Sequence, residues 1–171
     1  MAVFRKNITV SLLSFVPLFI LFFLVFSETE FDFEKFSFLS FNLTYILIFY
    51  WSLKKTESLG YGFIFIAGVI NDVVVGFPLG ISSLAYLLIC GFSAYLRNIT
   101  LRPNLFKDWI FFLFTILVVN SFTYSLLTLF FLFKINYISL LINLIFTFLL
   151  YFVFAHIFQF YQKKVFEGSN A

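Results

Sequence analysis

The spacing of charges constrains this chain more than any motif. Apolar stretches such as Ile8–Phe26 (ITVSLLSFVPLFILFFLVF) and Trp109–Phe133 pass without one Asp, Glu, Lys or Arg. A hydrocarbon core about 30 Å thick needs roughly 20 apolar residues per helical crossing, so runs of this length and purity read as membrane spans. The composition agrees: 63% of residues are hydrophobic, 11% are charged and the mean hydropathy is +1.07, where a soluble domain is about a quarter charged. Phe contributes 31 of 171 residues. Its excess, with that of Ile, Leu and Asn, matches codon bias in an AT-rich genome and carries no functional weight.

The same ruler marks six spans: Ile8–Phe26, Phe36–Trp51, Gly62–Val75, Ile81–Leu96, Trp109–Phe133 and Ile135–Gln159. The last two are expected to form a tight hairpin turning at residues 134–136, and residues 97–108 to form the longest polar connection. Nine cations (Arg5, Lys6, Lys54, Lys55, Arg97, Arg102, Lys107, Lys163, Lys164) then fall on one side, against Lys35 and Lys134 on the other. Because cytoplasmic loops carry the excess of Lys and Arg, both termini are expected in the cytoplasm. Trp51 and Trp109, with Tyr50, Tyr61, Tyr95 and Tyr161, fall at cytoplasmic span ends as an interfacial belt would. The exit of the first span, VFSETE, lacks a small-x-small cleavage pattern, so an uncleaved helix is favoured over a signal peptide. No linker or aligned repeat divides the chain, and residues 1–171 read as one all-α transmembrane domain in a multi-pass protein of the bacterial inner (cytoplasmic) membrane.

Catalytic chemistry has little to work with. The single His156 has no second ligand at metal spacing, and Cys90 lies in an apolar run as a small hydrophobe would. No serine has a base that can be placed beside it, and no phosphate-binding or dinucleotide fingerprint occurs. No catalytic residue, metal or cofactor is assigned, and no nucleic acid is implied. Asn120 lies within the fifth span, while Asn136, Ser139, Asn143 and Thr147 fall on one face of the sixth. Helix-to-helix hydrogen bonding is the plainer reading of these groups, and a polar solute cavity the sharper one.

Residues 71–80, NDVVVGFPLG, interrupt the hydrocarbon. Asp72 is the one acid well inside a span, where an ionisable group costs about 2.5 to 3.5 kcal/mol to insert. Gly68, Asp72 and Gly76 repeat every four residues, giving one helical face a carboxyl between two residues without side chains. Pro78 disfavours helix at Phe77, so the third helix must end by about Gly76. Gly80 with Ser82 or Ser83 is expected to start and cap the next helix. Asp72 then has two available roles: capping this broken hairpin through amides at the start of the fourth helix, or meeting a partner.

The stretch Gly68–Leu88, GVINDVVVGFPLGISSLAYLL, resembles the signature of the bacterial rod shape-determining MreD family at Asp72, Gly76, Pro78, Leu79, Gly80, Leu84 and Ala85. It departs from that pattern at Asn71, where an apolar residue or Gln is common, and at Ser82-Ser83, where a basic or small residue is frequent. The resemblance implies a non-enzymatic inner-membrane scaffold of the cell-wall elongation complex that maintains cell shape. Its implied partners are an MreC-type membrane protein and, indirectly, the actin-like MreB, a SEDS glycosyltransferase and a penicillin-binding protein. It also implies a six-helix fold similar to the substrate-binding subunits of energy-coupling-factor transporters. No catalytic residue is carried over. In this reading the third and fourth helices dock a partner helix, with Gly68 and Gly76 permitting close approach and Asp72 orienting a partner amide or hydroxyl. The alternatives are a vitamin or small-solute binding subunit of a transporter and a membrane scaffold of another process. Against the transporter, Ser11 and Ser14 of the first span lack small-xxx-small spacing.

Overall fold

The computed structural model describes residues 15–27, 41–54, 59–100, 104–132 and 136–163. Six helices and no strands occur among them: α1 (Val16–Ser27), α2 (Leu43–Lys54), α3 (Tyr61–Val75), α4 (Ile81–Ile99), α5 (Leu105–Phe131) and α6 (Tyr137–Gln162). By length and composition α5 and α6 are long and apolar enough to cross a membrane, while α1 and α3 are shorter apolar helices.

The short helix α2 is the axis of the bundle. Every residue from Thr44 to Leu53 is buried, because α1, α4 and α6 pack around it and aromatic rings of α5 and α6 close its remaining side. Phe49 meets Phe112 at 5.1 Å and Tyr151 at 5.7 Å, and Tyr50 meets Phe158 at 5.4 Å. Such ring pairs add about 0.5 to 1.5 kcal/mol each beyond the area they bury.

Side-chain contacts set the helix directions. The Asn42 amide donates to Thr147 Oγ1 at 2.9 Å, and the Tyr50 hydroxyl donates to Gln162 Oε1 at 3.1 Å, so α2 and α6 run parallel. Lys54 pairs with Asp108 at 2.6 Å while Phe49 meets Phe112, so α5 runs antiparallel to α2. Arg97 donates to the Ser52 carbonyl at 3.3 Å. The ends of α2, α4 and α6 and the start of α5 thus share one end of the bundle, and Lys54, Arg97, Lys107 and Lys163 gather there.

Several expectations are corrected. The connection expected at residues 97–108 is short, since α4 runs on to Ile99 and α5 starts at Leu105 with Asn104 as its cap, accepting from the Phe106 amide at 3.0 Å. Trp51 is 2% exposed within the core. Trp109 donates to the Phe148 carbonyl at 2.9 Å and stacks on that ring at 4.5 Å. Trp51 is therefore a core packing group, while Trp109 stays half-buried near the start of α5 with α6 supplying its ring and carbonyl contacts. Tyr61 and Tyr95 are exposed. The expected acidic connection at 27–35 and the turn at 134–136 lie outside the described residues apart from Ser27 and Asn136.

Candidate functional site: the α3–α4 hairpin

Gly76 ends α3 in the left-handed region, at φ 76° and ψ 27°. The Asp72 carbonyl accepts from the amides of both Gly76 and Phe77, the latter at 2.9 Å. This last bond spans six residues and is how a helix closes on a C-terminal glycine. The chain then passes Pro78 and reaches Gly80, at φ 102°, which begins α4 and has no side chain to cap it. The Gly80 amide just ahead of α4 and the first-turn Ser82 amide therefore need an acceptor from elsewhere.

Asp72 supplies it. The Gly80 amide donates to Asp72 Oδ2 at 2.7 Å, and the Ser82 amide donates to Asp72 Oδ1 at 2.8 Å. The carboxyl group is wholly buried, the Ser82 bond is buried and the Gly80 bond half-buried, and a buried amide left unpaired costs about 1 to 3 kcal/mol. The negative end of the group also faces the positive end of the α4 dipole. One side chain of α3 thus performs the capping of α4, eight and ten residues further along. Neither Ser82 nor Ser83 caps the helix as the sequence led us to expect. Ser82 Oγ accepts from Asn71 Nδ2 at 3.0 Å, and Ser83 Oγ donates to the Phe65 carbonyl at 3.0 Å. Asn71, adjacent to Asp72, is thereby drawn into the same hairpin, and its Oδ1 is buried without a hydrogen-bond partner.

Gly68 is the closest point of the pair. A Cβ there would run into the backbone of Ser83, with its amide nitrogen 2.6 Å and its Oγ 2.8 Å away. Gly68 therefore permits close approach within the chain, between α3 and α4, and is not open for a partner. Gly76 and Gly80 have open space around them and are required for their positive φ. Leu79, at the tip of the turn, is 70% exposed. The expected roles of Gly68 and Asp72 as direct partner contacts do not fit this geometry, because both are already engaged inside the hairpin.

The polar residues Asn120, Asn136, Asn143 and Thr147 named from the sequence do not set one helix face of α5 against one of α6. Asn136 lies just ahead of α6 and caps it, its Oδ1 accepting from Ile138 and Ser139 at 3.2 and 3.5 Å. Asn143 Oδ1 accepts from Thr147 Oγ1 at 3.3 Å, and Thr147 Oγ1 in turn accepts from the Asn42 amide ahead of α2. Asn120 is half-buried on α5. Four-residue spacing puts side chains on one face but does not choose the helix that face meets.

The sequence reading missed a second buried acid. Asp108, 2% exposed in the first turn of α5, pairs with Lys54 at the end of α2, whose side chain is 21% exposed. Both had been placed with the polar connections, and no local pattern joins residues 54 apart. Cys90 is buried with Sγ 3.3 Å from Ser52 Oγ, and His156 is exposed with its ring 4.9 Å from Phe152. Among the described residues no three His, Cys, Asp or Glu side chains gather as a metal site. Comparison with family models, with curated proteins and with solved structures finds no match to this chain.

Proposed function

We propose that the chain is a non-enzymatic, multi-pass component of the bacterial inner membrane that scaffolds the cell-wall elongation machinery, in the manner of the MreD family it resembles. The observation that carries the reading is the convergence of the resembling residues: Asp72, Gly76 and Gly80 make one capped hairpin, and Gly68 lets its two helices touch. A motif consumed in building a rigid hairpin suits a scaffold better than an enzyme, whose polar groups must remain available to substrate.

The distribution of side chains supports the multi-pass part. On α4 Leu84 and Leu87 face outward although Ile81, Ala85, Tyr86, Ile89 and Leu96 fill its buried face, so apolar side chains lie on both faces where a soluble amphipathic helix would turn polar ones outward. With α5 and α6 long enough to span, α1 to α4 complete six crossings, and the cation-bearing end with both termini lies in the cytoplasm. At about 22 Å, the 15 residues of α3 fall short of a 30 Å core, so either the turn at residues 76–80 is sunk below the outer surface or the bilayer is thinned there. An MreC-type membrane protein would meet surfaces other than Asp72 and Gly68.

The test is detergent co-purification of the tagged protein from its own membranes, with bound proteins identified by mass spectrometry. Recovery of an MreC-type partner with wall synthases is the expected result. Recovery of an ATPase pair with a coupling membrane subunit would replace this reading with a transporter's solute-binding subunit. Release from membranes without detergent would overturn the multi-pass assignment itself.

A further inference from the structure

A buried carboxylate is costly unless an opposite charge or a full set of hydrogen bonds offsets it. Lys54 stands against Asp108, the one ion pair among the described residues. Asp72 is 0% exposed and receives two backbone amides alone. Arg97 lies toward the other end of α4, about 22 Å from Ser82, with Lys54, Lys107 and Lys163 near it. Nor does the backbone make up the difference. The dipole of α4 puts roughly half a positive charge at its start, and that of α3 roughly half a negative charge at its end, in the same turn at residues 76–80. The two cancel, and the charge of the carboxylate remains.

A second observation points to what meets it. Asn71 is 6% exposed, and its Nδ2 donates to Ser82 Oγ at 3.0 Å, which turns the amide toward the helix start that Asp72 caps, yet its Oδ1 has no partner. Ser82 joins the two side chains, its Oγ bonded to Asn71 and its amide to Asp72 Oδ1 at 2.8 Å. An orphaned amide oxygen, a carboxylate with lone pairs to spare and a hydroxyl oxygen thus lie around one residue. All three are hard oxygen donors, the kind that suits alkali and alkaline-earth ions. The other acid among the described residues, Asp108, is at the opposite end of the bundle, so a single carboxylate matches a single positive charge. Gly76 and Gly80, with nothing within 4 Å of a built Cβ, leave the approach from the turn open.

We propose that Asn71 Oδ1, the Asp72 carboxylate and Ser82 Oγ hold a monovalent alkali cation at the hairpin, with water completing its shell. The ion supplies the charge that Asp108 receives from Lys54, while the two amides keep Asp72 aimed at α4. The inference rests on the hairpin alone and not on the scaffold reading or on any protein partner.

The test uses the purified full chain in detergent, its thermal midpoint followed as sodium chloride replaces choline chloride at constant ionic strength. Saturable binding raises the midpoint, and sodium at ten times its dissociation constant should raise that of the wild type by about 4 °C. Asn71→Leu removes the orphaned oxygen and Ser82→Ala the hydroxyl, each leaving Asp72 and its two amides in place, and each should abolish the rise. Asp108→Asn, at the other end of the bundle, should keep it. Equal wild-type midpoints in the two salts would overturn the proposal and assign Asn71 Oδ1 to a buried water. A rise that survives in both Asn71→Leu and Ser82→Ala would overturn it too, because the ion would then bind elsewhere, as would loss of the rise from Asp108→Asn.

Discussion

Asp72 and Asp108 are both buried acids in an apolar bundle, yet they are satisfied by opposite means. Asp72 is held by two backbone amides of its own hairpin, eight and ten residues away. Asp108 is held by a flexible side chain from another helix, 54 residues away. The first arrangement has no freedom, since neither amide can move without unwinding the start of α4. The second is forgiving, because the 21% exposed Lys54 side chain can swing toward solvent if its partner is lost. Burial alone therefore does not rank two acids; the stiffness of what satisfies them does.

The comparison breaks most visibly at Asp72. Asp72→Ala leaves one buried and one half-buried amide unpaired and is expected to cost about 2 to 4 kcal/mol, read as a fall in the thermal midpoint in detergent. Asp72→Asn, which keeps one acceptor and sets an NH2 group against the other amide, should fall between that variant and the wild type. Gly68→Ala comes next. Its methyl group meets backbone and not the end of a side chain, so the cost belongs at the upper end of overpacking, about 3 kcal/mol, on the same thermal scale.

The ion pair provides the smaller effects and an internal asymmetry. Lys54→Met strands a carboxyl that is 2% exposed. Removing one partner of a fully buried pair costs about 3 to 5 kcal/mol, and partial exposure of this one lowers the expectation to about 2. Asp108→Asn leaves the lysine free to reach water and should cost about 1 kcal/mol. Equal losses from Lys54→Met and Asp108→Asn in denaturant or thermal unfolding would show that solvent access does not decide the matter. At the bottom of the scale, Asn136→Ala removes an exposed cap from α6 and should cost about 1 kcal/mol.

This contrast also explains what was legible in the sequence. The α3–α4 hairpin could be read because its determinants are local: Pro78 and Gly76 stop one helix, Gly80 starts the next, and Asp72 lies within a turn or two of the break. Observed α3 begins one residue before the expected Gly62 and ends at the expected Val75. What could not be read was that Gly68 faces Ser83 of the same chain, since a small residue advertises close approach without naming the partner. The Lys54–Asp108 pair, the parallel run of α2 with α6, and the stacking of Trp109 on Phe148 all depend on tertiary placement. In a sequence apolar on nearly every face, hydrophobic periodicity has too little contrast to supply it.

The central claim is that Asp72 holds the hairpin shut from within, and amide hydrogen exchange over residues 77–88 tests it most directly. Purified wild-type and Asp72→Ala proteins would be compared in the same detergent. Loss of about 2 kcal/mol of local stability corresponds to roughly 30-fold faster exchange, concentrated in the first turn of α4. Unchanged protection there, with partner recovery alone diminished, would contradict the claim and make Asp72 a docking residue.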